Sequence, residues 1–99
     1  MKNPLVIKKT VDVDLSSTDW TLAGSSASKG YGPPDALYVG TAAGGDVVCQ
    51  ITDNAPATAT TFTGLSGGVW HPISVIAITK TGTTAALQTA GILKVGWVR

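Results

Sequence analysis

Apolar and polar positions alternate along most of this chain. Val11, Val13 and Leu15 are interleaved with Asp12 and Asp14, the period-two pattern of a strand that turns its acids to solvent. The pattern recurs in 36–39 and in 46–52, where Val47, Cys49 and Ile51 share one face. It recurs again in 59–64 and in 91–98, where Leu93, Val95 and Trp97 oppose Ile92, Lys94, Gly96 and Val98. The stretch 69–79 reads as the longest strand. Pro72 inside it cannot donate to a ladder and predicts an edge position, a bulge or a late start at Ile73. Leu5, Val6 and Ile7 form a further short run able to make a strand.

Turn residues punctuate these segments. Gly40 to Asp46 predicts a hairpin between 36–39 and 46–52, Asp53 to Ala57 ends the next strand, and 64–68 and 81–85 are further turns. The stretch 84–89 admits a helical turn, which Thr83, Thr84 and Thr89 weaken. Six to seven short strands at regular spacing predict an all-β fold: a small antiparallel β-sandwich, jelly-roll-like or barrel-like. Residues 16–34 differ in texture, being rich in Ser, Gly, Ala and Pro, with 24–34 reading as loop. The expectation is one domain, with 1–34 an N-terminal strand plus extended segment and 35–99 the sandwich core. A loop of that length binds something or packs on a neighbour. Trp20 within it plugs the open end of the core, the favoured reading, or makes a subunit contact.

Composition sharpens the picture. With 99 residues, 43% of them hydrophobic, the chain can bury a core. No apolar run approaches the roughly 20 residues that cross a bilayer. The run 5–7 is too short for a signal peptide and is interrupted at once by Lys8 and Lys9. The expectation is a soluble, unexported protein without membrane contact. Only 13% of residues are charged, none is Glu, and the formal charge is +1. That charge sets up no field for nucleic acid, and Lys8, Lys9, Lys29, Lys80, Lys94 and Arg99 form no basic stripe beside stacking aromatics. So few charges protect a monomer poorly against association. Either a Thr- and Ser-coated surface takes the place of charge or, the favoured reading, much of the surface is buried by other subunits.

Candidate chemistry is sparse. The single cysteine, Cys49, reads as a small buried hydrophobe. The single histidine, His71, lies between Trp70 and Pro72, and the six Asp residues are spread through the turns and one strand without a ligand cluster. Asp12 and Asp14 share a strand face but lack the further oxygen ligands of a calcium site. No phosphate-cradling Gly-rich loop and no nucleophile elbow is present. No enzyme activity, metal or cofactor is expected. Trp20, Trp70 and Trp97 are large rigid anchors for a core or an interface. The candidate interface residues are Trp20 and Tyr31 in the N-terminal segment and Trp70, His71 and Pro72 at a strand start. Carbohydrate binding or host adhesion by an exposed Trp is the alternative, by analogy of fold class.

The order of Ala36–Thr41, Gly45–Val47, Thr61–Leu65, Pro72–Val75 and Thr81–Ala85 resembles a family of small virion proteins, the spike-base proteins of tailed phages and phage-derived gene transfer agents. The similarity covers about residues 36–97; the first 34 residues do not match, and Leu93–Trp97 departs from the family's ending. The resemblance implies a β-sandwich subunit that forms a symmetric ring on a capsid vertex, with capsid and fibre proteins as partners. It implies a virion location after assembly in the host cytoplasm, and no catalysis.

Overall fold

The computed structural model describes residues 6–22, 32–51 and 59–98. Its elements are β1 (Lys9–Val13), β2 (Trp20–Thr21), β3 (Ala36–Val39), β4 (Gly45–Ile51), β5 (Thr60–Leu65), β6 (Trp70–His71), β7 (Val75–Thr79), a single 3-10 turn (Ala85–Leu87) and β8 (Leu93–Trp97). They form two four-stranded sheets, ordered β1-β8-β3-β6 and β2-β7-β4-β5, and every pairing is antiparallel.

The strand order defines the architecture. β1 pairs with β8, β2 with β7, β3 with β6 and β4 with β5, so the strand numbers in each of these four pairs sum to nine. That is one long hairpin, folded at β4–β5, whose arms run the length of the chain. Two further pairings, β3 with β8 and β4 with β7, roll the hairpin into a double sheet. An eight-stranded double sheet built this way is a jelly roll. The all-β, antiparallel sandwich expected from the alternation is the fold, with eight strands rather than six or seven.

Alternation explains which residues face inward, except in β7, where Val75 and Ile78 lie three apart and both bury because the register against β4 shifts between Gln50 and Ile51. Val13, Leu37, Val39, Val47, Cys49, Val75, Ile78, Leu93, Val95 and Trp97 are fully buried between the sheets, and Leu15, Trp20 and Leu87 complete the cluster. Burying a Val- to Phe-sized side chain is worth about 1.5–3 kcal/mol, so this core is the main source of stability. The first 34 residues contribute to it directly. β1 is an edge of one sheet and β2 an edge of the other; they supply Val13 and Trp20 to the cluster, and the connection between them supplies Leu15.

Three local expectations are corrected. The turn 40–44 does not close a hairpin: β3 lies in one sheet and β4 in the other, so this turn carries the chain across the sandwich. Alternation fixes the face a strand buries and says nothing of its partner. Second, 69–79 is two strands. Pro72 has no N–H, and the Ile73 N–H bonds back to the His71 carbonyl at 2.7 Å, a tight turn. β6 therefore ends in one sheet and β7 begins in the other, the bend by which a strand changes sheets. Third, β1 begins at Lys9, and Val6 to Lys8 lie outside any strand. The helical turn admitted at 84–89 is the 3-10 turn, anchored by buried Leu87.

Threonine hydroxyls continue the ladder where β7 stops. The last β4–β7 pair is Val48 with Thr79. Beyond it, the Val48 N–H donates to Thr83 Oγ1 (3.1 Å) and the Asp46 N–H to Thr84 Oγ1 (2.9 Å). The Thr84 N–H in turn donates to the Asp46 carbonyl at 3.0 Å. Thr83, the one buried polar residue among the described residues, also donates its hydroxyl to the Thr79 carbonyl at 2.6 Å.

Candidate interaction surface

The outer face of the first sheet carries a row of side chains in cross-strand register. Trp70 on β6 lies opposite Tyr38 on β3, Tyr38 opposite Lys94 on β8, and Lys94 opposite Asp12 on β1. The Trp70 and Tyr38 rings are 5.1 Å apart at 45°, a tilted contact of the kind aromatic pairs favour. Lys94 Nζ donates to Asp12 Oδ1 at 2.6 Å. The ion pair is exposed, so it contributes less than about 1 kcal/mol; its effect is to mark the edge of the row with charge.

The neighbouring row is small: Ala36 lies opposite Gly96, and Gly96 opposite Thr10. A Cβ on Gly96 would stand 2.8 Å from Trp70 Cζ3 and 2.8 Å from Ile7 Cγ2. The indole and the isoleucine therefore close over a strip that only a glycine leaves flat. A glycine inside an otherwise bulky strand signals such a close approach, and Gly96 was the sequence feature that could have located this surface. Among the described residues, Val6, Val69 and Val98 are the exposed large hydrophobics, at 53%, 48% and 36%. Each directly flanks this region: Val6 precedes Ile7, Val69 precedes Trp70, and Val98 follows β8.

The five candidate interface residues separate. Trp70 is partly buried on the outer face described above. Trp20 is only 7% exposed and belongs to the core cluster. Its indole packs into the core of its own subunit, where the favoured reading put it. His71 pairs with Leu37 and its Nε2 lies 2.9 Å from the Ser66 carbonyl, so it pins the 66–69 turn against β6. Pro72 is exposed at the strand switch. Tyr31 lies outside the described residues. Trp97, fully buried, donates its indole N–H to the Gly32 carbonyl at 3.1 Å.

Reactive groups are engaged elsewhere. Burial pushes the Cys49 thiol up to about 11, the opposite of an activated nucleophile. Hydrogen bonds from the Ser16 hydroxyl and N–H hold the Asp14 carboxyl below its usual range. Asp19 accepts the Lys80 N–H, and Asp35 accepts the Val98 N–H while its own N–H donates to the Gly96 carbonyl. No group of three or more His, Cys, Asp or Glu side chains able to hold a metal occurs among the described residues.

The edges of the sheets complete the surface. β1 carries Lys9 and Asp12; β2 and β6 are two residues each, and Pro72 follows β6. β5 is six residues long, Thr60–Leu65, with no charge and no proline. Near its end the register shifts against β4, and Gly64, at φ +69°, donates its N–H to Asp46 Oδ1 at 2.8 Å. That is a glycine bulge held by a carboxylate.

Comparison of the chain with protein-family models, with curated proteins and with solved structures finds no match.

Proposed function

We propose that this chain is a non-enzymatic structural subunit, a spike-base, decoration or vertex protein of a tailed phage or phage-like particle, which works as a homo-oligomer and contacts capsid or fibre proteins. The observation that carries the reading is a jelly roll whose outer surfaces offer aromatic, apolar and uncharged strand-edge contacts while, among the described residues, Asp14, Asp19, Asp35, Asp46 and His71 are spent on local structure. Jelly rolls recur in viral capsid and lectin domains, so the architecture supports the reading by analogy. The segment order in 36–97 supports it independently. The mechanism is division of labour: inward alternation holds each subunit together, and the outer face around Trp70, Tyr38 and Ile7, with the sheet edges, holds subunits to one another. The test is to purify particles from cells expressing an epitope-tagged chain and locate the tag by electron microscopy. The tag at capsid vertices or on the capsid surface supports the proposal; a tag found only in the particle-free fraction refutes it.

A second reading, glycan binding, draws on one observation, the Trp70–Tyr38 pair beside the Lys94–Asp12 ion pair. Rings of this kind stack on sugar faces and the charged pair offers hydrogen bonds. A glycan array with hits that Trp70→Ala abolishes would favour it over assembly.

A further inference from the structure

We infer that β5 is a self-pairing edge: two copies of this chain join their β5 strands antiparallel about a twofold axis, fusing two four-stranded sheets into one of eight. The inference deepens the assembly reading and rests on it for self-association. A strand at the end of a sheet presents backbone N–H and C=O groups to whatever approaches, and the group that matches them is another extended strand. Proteins blunt such edges with charge, proline, brevity, a bulge or a covering segment. β1 has Lys9 and Asp12, β2 and β6 are two residues long, and Pro72 follows β6. β5 carries no charge and no proline over Thr61–Thr63, and its bulge, at Gly64, bounds the straight stretch rather than interrupting it.

Charge decides for a second copy as the occupant. An edge without charged side chains meets itself without like-charge repulsion, and whole copies at a formal charge of +1 repel weakly. A twofold axis normal to the sheet at Phe62 sets Phe62 opposite its own copy and Thr61 opposite Thr63. Thr61 lies opposite Val48, itself opposite Thr79, so the uncharged outer row runs on across the junction. Phe62 already packs on the core, which holds the edge rigid before pairing. The contact is twofold and closes on itself, so it yields pairs and not filaments.

The experiment is sedimentation velocity of the full chain over a concentration series, with two double variants at exposed positions. Thr61→Lys/Thr63→Lys and Thr61→Asp/Thr63→Asp each place like charges across the junction. Each is expected to weaken self-association by at least roughly tenfold, with an unchanged circular dichroism spectrum and melting temperature. An equimolar mixture of the two is expected to re-associate as a mixed pair. In the wild type, hydrogen exchange at Thr61–Thr63 is expected to slow as concentration rises. If the wild type oligomerises and neither double variant changes it, the edge proposal is overturned while the assembly reading stands. If the wild type is monomeric throughout, both fail.

Discussion

Replacing Thr83 with Val tests whether hydroxyls carry the ladder beyond the end of β7. The two side chains are nearly the same size, so packing is preserved and only the hydroxyl is lost. That hydroxyl accepts the Val48 N–H at 3.1 Å and donates to the Thr79 carbonyl at 2.6 Å, at a residue only 4% exposed. Thr83→Val strands one donor and one acceptor. Each orphan in a buried setting costs about 1–3 kcal/mol, and because Val48 is only partly buried the expected sum is about 2–3 kcal/mol. For a domain of this size each kcal/mol moves the melting temperature by roughly 4–8 °C. Thr83→Ser keeps the hydroxyl and loses one methyl, so it is expected to cost about 1 kcal/mol. Urea denaturation gives the two stabilities, and hydrogen exchange at Val48 reports the bond itself. If Thr83→Val is within about 0.5 kcal/mol of wild type with Val48 still protected, the hydroxyl is not part of the ladder and the reasoning fails.

Other expectations follow from the same contacts. Gly96→Val drives a side chain into Trp70 and Ile7 and is expected to cost about 1–3 kcal/mol; in a Trp70→Ala background the cost shrinks, a non-additivity that a double-mutant cycle measures. His71→Ala removes the bond to the Ser66 carbonyl and is expected to cost about 0.5–1.5 kcal/mol in thermal unfolding, with faster hydrogen exchange in the 66–69 turn. Cys49 should resist thiol reagents in the native state and react once denaturant is added. Because burial raises its thiol from 9.0 to about 11, the unfolded chain releases that proton first; stability is whole below about pH 9 and declines as pH rises toward 11. Cys49→Ala should flatten that part of the alkaline decline.

What the sequence made legible was faces. Leu93, Val95 and Trp97 point inward and Lys94 and Val98 outward, as period-two alternation requires, because a strand's pleat is a local property. Partners were not legible. Val39 and Val47 both bury, yet their strands lie in different sheets, and nothing local to 40–44 separates a hairpin from a crossing. Pro72 predicts an edge, a bulge or a late start within one strand; that it instead separates two strands depends on where the second sheet lies. β2 escaped notice because two residues, Trp20 and Thr21, make too short a period. The Trp70–Tyr38–Lys94–Asp12 row is assembled from four strands by register alone, so its members look unrelated in the chain. Gly96 was the one local clue, a gap in an otherwise bulky strand.

The central claim is that this jelly roll exists to meet copies of itself and its neighbours, and self-association tests it most directly. Sedimentation velocity of the purified full chain at micromolar concentrations, with no partner added, is expected to show a discrete oligomer whose population rises with concentration and which persists in moderate salt. A single stable monomer across the series would contradict the account.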